Sequence, residues 1–225
     1  MITSQHNPAL QDVRRLLARK RTGSPPRFVA EGEDLLAAAD AAGWAPLLRL
    51  RAGEDVSAEA LARVSSLASG TRELGVYEER WSRPAGPTCV ALWGVGDPGN
   101  VGTVLRGALA FGAASVVIGP GTADPYGPKA VRASMGAIFR VPLASFEEPA
   151  GARVALVARG GVPLPELQVD GDVVFGLGAE RAGLPADVAA SCDVQASIPQ
   201  PGGAESLNVA MAGAIALYER SRAAR

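Results

Sequence analysis

Three glycine-rich turns carry the side chains of this 225-residue chain whose types and spacing suit chemistry. The first is ALWGVGDPGNVGTVLRGALAFG, residues 91 to 112, with Asn100 and Arg106. The second, FGLGAERAGLP, holds Glu180, and the third, PQPGGAESLN, holds Ser206 and Asn208. Read alone, Gly94-Val-Gly96-Asp-Pro-Gly99 fits G-x-G-x-x-G, whose glycines bring backbone N–H groups against a dinucleotide pyrophosphate at a helix N-terminus. That chemistry also requires an acidic residue about 20 positions later to hold the ribose. Asp124 is in range, but GPGTADPYGP surrounds it with turn formers. Pro98 before the third glycine, and the two further turns, have no place in the fingerprint. A nicotinamide- or flavin-dependent oxidoreductase is therefore the weaker reading.

The stronger one is a site assembled from all three turns. Each follows an apolar run readable as a buried parallel strand, at the carboxyl end where such sheets gather ligands. His6 is the single histidine, so a Ser-His-Asp triad, a Cys-His pair or a histidine-based zinc site would each depend on it. We expect chemistry without histidine and without metal. Cys89 and Cys192 lie far apart, lack metal-ligand spacing and read as buried, reduced thiols of a cytoplasmic protein. There is no run of about 18 apolar residues to span a membrane. MITSQHNPALQDVRRLL has no apolar core before its arginines, so no secretion signal is expected.

The formal net charge of −1 argues against a uniformly basic nucleic-acid binder, but charge is unevenly placed. Between Val13 and Ala30 lie Arg14, Arg15, Arg19, Lys20, Arg21 and Arg27 with no acidic residue among them. Such a local basic face serves either as solvated helix surface or as a grip on RNA phosphates.

The elements that must position these residues fall on either side of ERWSRPAGP, residues 79 to 87, where Pro and Gly bracket a polar turn. Residues 1–82 form one expected unit and 87–225 the other. In the first, PALQDVRRLLARK predicts a helix with Leu10, Val13, Leu16 and Leu17 on one face and arginines on the other. RFVAEG reads as a strand, EDLLAAADAAG as a helix, PLLRLRAG as a strand, and SAEALARVSSLAS as a helix capped by Ser57. This small α/β module is expected to fold alone, though marginally. In the second, CVALWGV, SVVIGP, IFRVPL, RVALVAR, DVVFGLG and VQASIP read as strands, with helices over 100–111, 128–137 and 206–222. Their alternation predicts a mainly parallel sheet covered on both faces. On the 100–111 helix, Val101, Val104, Leu105, Ala108 and Phe111 supply apolar surface. Gly99, Thr103, Arg106 and Ala110 share a small or polar face, so Arg106 is free of packing duty.

In these segments the chain resembles a known family. DPGNVGTVLRGALAFGAASVVI is similar to the first motif of the SpoU (TrmH-type) RNA 2′-O-ribose methyltransferases, of the SPOUT superfamily, with its N-x-G-x-x-x-R core. VVFGLGAERAGLP resembles the second, G-x-E-x-x-G-L, and ASIPQPGGAESLNVAMAGAIALYE the third, I-P followed by S-L-N-V. The three occur in order over residues 88 to 222, and DPYGPKAVRASMGAIFRVPL resembles the segment between the first two. SQHNPALQDVRRLL leading to RFVAEGEDLL resembles a ribosomal-protein-like RNA-recognition domain found before many members.

The resemblance implies a parallel α/β domain with a C-terminal trefoil knot, S-adenosyl-L-methionine bound in the knot, and a homodimer with sites near the interface. It implies cofactor contacts at Gly178, Ile198 and Leu207, with Gly176, Leu177, Pro199 and Ser206 as neighbours. Arg106 corresponds to the family's catalytic arginine. Since a guanidinium hardly ever deprotonates in proteins, its expected part is to clamp a phosphate and stabilise the developing alkoxide. Asn100 would orient the ribose or Arg106, Glu180 would anchor the arginine or its loop, and Ser206 and Asn208 would order the third turn. The separate N-terminal module favours ribosomal RNA over transfer RNA as substrate. A transfer-RNA 2′-O-methyltransferase and a non-catalytic RNA-binding or ribosome-assembly relative are the alternatives.

Overall fold

The computed structural model describes residues 1–4, 6–18, 26–67, 70–145, 150–203 and 205–223. Helix α1, Pro8–Leu17, starts where Asn7 Oδ1 accepts from the Ala9 N–H and Pro8 presets the first turn. Its face of Leu10, Val13 and Leu16 is buried, while Arg14 and Arg15 are exposed. Then come β1 (Arg27–Glu31), α2 (Glu33–Ala41), β2 (Leu48–Arg51), α3 (Ala58–Ala62) and β3 (Glu73–Glu78). Ser57 caps α3 as expected, accepting from the Ala60 N–H, but the helix ends earlier than its sequence pattern suggests.

Sequence patterning overlooks β3, the central strand of an antiparallel three-stranded sheet of order β1-β3-β2. Its alternation is broken by Gly75, and glutamates stand at both ends. The glycine makes room for a ring: a Cβ there would lie 2.7 Å from Cε2 of Tyr77.

Strand parity gives this sheet two apolar faces. Val29, Leu50, Leu74 and Val76 pack with Leu10, Val13, Leu16 and Leu61 in one core. Phe28, Ala30 and Tyr77 face the other way and join Trp44, Tyr126, Ile138 and Phe139 in a core continuous with the second unit. Phe28 and Tyr126 ring centroids are 4.7 Å apart, those of Tyr77 and Phe139 5.2 Å, and Trp44 Nε1 donates to the Phe139 carbonyl at 2.8 Å. Buried Glu31 accepts from the Ser66 N–H at 2.9 Å and from its hydroxyl, and lies 3.9 Å from Arg132 of the second unit. The module thus shares one of its two cores with the second unit, so residues 79–87 join two segments whose packing is continuous.

The second unit runs β4 (Thr88–Leu92), α4 (Pro98–Phe111), β5 (Ser115–Ile118), α5 (Pro128–Ala133), β6 (Leu143–Ser145), β7 (Ala152–Val157), β8 (Val162–Pro163), β9 (Val173–Leu177), α6 (Ala186–Ala190), β10 (Val194–Ser197) and α7 (Val209–Ala223). Its strands form a parallel seven-stranded sheet of order β6-β5-β4-β9-β7-β10-β8. The expected strand IFRVPL is displaced. Met135 and Gly136 take left-handed φ values of 49° and 87° and stop α5 short of 137. Residues Ala137–Phe139 then form a 3-10 turn, and β6 begins only at Leu143. Both cysteines are free, Cys89 buried and Cys192 half-buried. Helices α4 and α7 lie side by side and parallel, since Asn100 meets Asn208 near their N-termini and the Phe111 and Tyr218 rings meet 5.8 Å apart near their other ends.

Candidate active site

At the carboxyl ends of β7, β9 and β10 the chain encloses a pocket of about 550 Å³. This is within the range of about 300–1,000 Å³ usual for small-molecule and cofactor sites. Leu156, Leu177, Leu184, Ile198, Leu207 and Val209 make apolar walls, and Glu180, Arg181, Glu205 and Ser206 add polar groups. Of the residues expected to hold a cofactor, Leu177, Gly178, Ile198, Ser206 and Leu207 line it, whereas Gly176 and Pro199 do not. Gly176 sits within β9, opposite Ala91 and Ala155, and Pro199 is exposed.

Gly178 acts through packing. A Cβ on it would overlap the backbone of Gly183 and Leu184. The loop it accommodates is closed by reciprocal hydrogen bonds between Ala179 and Gly183, at 3.0 and 2.8 Å, and forms one wall of the pocket. Sequence reading missed Gln200, which lines the same pocket with its Oε1 buried and without a hydrogen-bond partner among the described residues. Such an acceptor needs a donor. Its place just after Ile198 and Pro199 was the available signal.

Polar side chains from all three turns meet beside this pocket. Asn208 caps α7, its Oδ1 accepting from the N–H groups of Ala210 at 2.9 Å and Met211 at 3.3 Å. Its Nδ2 donates to Asn100 Oδ1 at 3.0 Å, and Asn100 Nδ2 donates to Glu180 Oε1 at 2.6 Å. The charged acceptor makes the last bond the stronger of the two. Ser206 stands at the pocket wall, exposed.

Arg106 lies apart from this network. It is six residues beyond Asn100, about 9 Å along the axis of α4, and is not in the pocket lining. Its side chain is on the exposed face with Thr103 and Ala110 and makes no hydrogen bond or ion pair among the described residues. The expected anchoring of Arg106 by Glu180 is therefore not seen within one chain, where Glu180 holds Asn100 instead.

The opening glycines shape a turn and do not line the pocket. Gly94 has φ 66°, and Asp97 caps α4 by accepting from the Gly99 N–H at 2.5 Å. Both Asp97 oxygens lie 3.0 Å from Lys129 Nζ, which, with the Gly99 N–H, holds this carboxyl below its ordinary range.

On the first unit, Arg14 and Arg15 are exposed, whereas Arg27 is engaged by Asp12 through two bonds of 2.8 and 3.1 Å. Arg19, Lys20 and Arg21 lie outside the described residues. No group of three or more His, Cys, Asp or Glu that could hold a metal occurs among the described residues, and none of their helices is long and apolar enough to cross a membrane.

Residues 87–218 match the SpoU rRNA Methylase family. The chain is 37% identical over 133 residues to the 23S rRNA (guanosine(2553)-2′-O)-methyltransferase RlmP of Bacillus subtilis, a match covering 55% of this chain and 54% of that protein. It thus spans about half the length of that relative. An uncharacterized tRNA/rRNA methyltransferase of Synechocystis is 30% identical across 98% of this chain and 93% of its own length. Among solved structures, an AdoMet-bound rRNA methyltransferase from Sinorhizobium meliloti superposes with a TM-score of 0.87 at 31% identity, covering 99% of this chain and 97% of that one.

Proposed function

The chain belongs to the SpoU rRNA methylase family, and we propose that it transfers a methyl group from S-adenosyl-L-methionine to a ribose 2′-hydroxyl of RNA, with ribosomal RNA as the substrate class. The observation that carries this reading is the Asn208–Asn100–Glu180 chain of hydrogen bonds joining the three motifs beside a cofactor-sized pocket. The residues present fit the cofactor. Apolar walls from Leu177, Ile198 and Leu207 suit the faces of an adenine, and the orphaned Gln200 Oε1 suits one of the cofactor's N–H or O–H groups. When bound, S-adenosyl-L-methionine supplies a methyl already activated on a sulfonium.

The protein's work is then alignment and charge stabilisation. Asn100, held from both sides, orients the ribose end of the substrate. Glu180 fixes Asn100 and the pocket loop together. Asn208 ties the third turn to the first, and Ser206 stands at the wall where RNA enters. Arg106, permanently charged, clamps the phosphate next to the acceptor ribose and stabilises the developing alkoxide.

Since Arg106 stands outside the lining of its own pocket, a homodimer that carries it to the partner's site is the assembly we favour. Met211 at 56% exposure and Tyr218 at 49% give α7 an apolar surface beside α4 for that pairing. A C-terminal trefoil knot is supported by the path of the chain. From β10, two strands outside β9, Ile198, Gln200 and residues 205–207 line the pocket beside the 178–184 loop before α7 packs against α4 and β9. The first unit, with Arg14 and Arg15 exposed on α1, serves as the RNA-recognition domain, and a ribosomal substrate places the protein in the cytoplasm.

The test is transfer of labelled methyl from S-adenosyl-L-methionine to undermodified cellular RNA separated by size, with Arg106→Ala alongside. Label in a ribosomal RNA band, lost in the variant while cofactor affinity persists, is the expected result. Label confined to transfer RNA would move the substrate class. Cofactor binding without transfer to free RNA or ribosomal particles would leave the non-catalytic relative.

A further inference from the structure

The linking segment 79–87 has chemistry that the methyl-transfer site does not use. It carries Arg80 and Trp81 past the place where the two units meet, and there the chain forms a smaller pocket of about 220 Å³. The floor is the buried ring cluster of Trp44, Tyr126 and Phe139; the rim is Arg80, Trp81 and Arg140, all exposed. The Arg80 guanidinium lies 3.9 Å from the centroid of the Trp44 ring and so is stacked on one side. Its backbone is pinned by Tyr126, whose hydroxyl donates to the Arg80 carbonyl at 2.5 Å and accepts from its N–H at 3.0 Å. Trp81 meets Tyr126 edge to face at 5.5 Å, and its Nε1 donates to the buried Glu79 at 3.2 Å, yet the residue remains 39% exposed. The Arg140 side chain makes no hydrogen bond or ion pair among the described residues.

We propose that this pocket is a nucleotide subsite for an unpaired stretch of RNA: one base stacks on Trp81 and the outer face of the Arg80 guanidinium, and Arg140 holds a flanking phosphate. The volume decides the class of occupant. It falls below the range of about 300–1,000 Å³ for whole small-molecule ligands and suits one planar ring. An aromatic face beside a pre-stacked guanidinium is what unpaired bases settle on. The rim charge is positive, and the carboxylate of Glu79 beside it is buried and accepts from Trp81. The subsite rests on the reading of the chain as an RNA-acting enzyme, and it adds an RNA-binding surface that shares no lining residue with the pocket of the three motifs.

The experiment is fluorescence anisotropy of the full chain with a labelled single-stranded RNA decamer and with a blunt duplex of the same length. It compares wild type with Trp81→Ala, Trp81→Phe and Arg140→Ala. Trp81→Ala should weaken single-strand binding about tenfold and Trp81→Phe far less, with duplex binding little changed. Arg140→Ala, which removes no side-chain hydrogen bond or ion pair among the described residues, should weaken the same complex and lower its salt slope by the share of about one phosphate. Thermal midpoints and cofactor affinity, measured in parallel, separate misfolding from weakened RNA binding. Unchanged single-strand affinity in both alanine variants, or equal losses for duplex and single strand, overturns the subsite alone. Failure of the wild type to bind either RNA overturns it together with the RNA-acting reading.

Discussion

Asn208, the N-cap of α7, lies 3.0 Å from Asn100 on α4 although 108 residues separate them. Asn100 in turn is 2.6 Å from Glu180. Asn100→Ala removes the central link and should lower methyl transfer about 100-fold through misplacement of the reacting groups. Asn100→Asp is the sharper variant. It sets a carboxylate against Glu180, and two such groups at this range retain a proton well above the ordinary carboxylate range. Its residual transfer should fall as pH rises through the range in which that shared proton is lost, unlike the wild type. A pH–rate profile parallel to wild type would show that the two carboxyls do not meet.

A side chain at Gly178 must displace the Gly183–Leu184 backbone. Because that loop walls the pocket, Gly178→Val should weaken cofactor binding by tenfold or more, read by calorimetry on folded protein. Unchanged affinity would place the cofactor elsewhere.

The three motifs were legible because each couples an apolar strand to a glycine-rich turn with a fixed polar residue. Their meeting could be expected, but the order of bonding could not. Glu180 binding Asn100, and Arg106 standing apart, depend on where β9 and α4 end in space. Strand β3 escaped notice because Gly75 serves the Tyr77 ring, and that fit exists only once the strand has formed. The shared core was hidden for a related reason. Phe28, Trp44 and Tyr77 look like the inside of a small domain until Tyr126 and Phe139 are set against them. The partner of Arg27, Asp12, sits one residue before the acid-free run that begins at Val13.

Arg14 and Arg15 on α1 are exposed, on the face opposite the buried Leu10, Val13 and Leu16. If they hold RNA phosphates, Arg14→Glu with Arg15→Glu should weaken RNA binding and flatten its salt dependence, by roughly 0.7 in log–log slope for each single-strand phosphate no longer neutralised. Binding measured over several salt concentrations checks this. An unchanged slope would make α1 a solvated surface only.

Glu73 receives Arg49 at 2.7 Å and Arg51 at 2.9 Å, and the bond from Arg49 is the chief cause that holds its carboxyl below the ordinary value of 4.5. A carboxyl depressed in the folded state stabilises the fold above its unfolded value, and that stability is lost as pH falls through the folded one. Glu73→Gln should therefore be less stable than wild type at neutral pH, with the difference shrinking below about pH 4.5. Urea midpoints across this range test it. A difference that stays constant with pH would mean that charge at Glu73 is not what Arg49 and Arg51 recognise.

Two buried tyrosines of the shared core make opposite predictions for the same chemical change. The Tyr77 hydroxyl is buried with no hydrogen-bond partner among the described residues, and burial pushes its pKa up to about 12. Tyr77→Phe keeps the ring packing on Phe28 and Phe139 while removing a desolvated polar group, so it should stabilise the fold by roughly 1 kcal/mol. The Tyr126 hydroxyl, by contrast, is bonded to both the carbonyl and the N–H of Arg80. Tyr126→Phe leaves those groups without their partner and should destabilise by about 1 kcal/mol or more. Urea denaturation of the two variants beside wild type reads both signs at once. Shifts of the same sign would mean that hydroxyl pairing is not what distinguishes the two positions, and that ring packing in the shared core outweighs it.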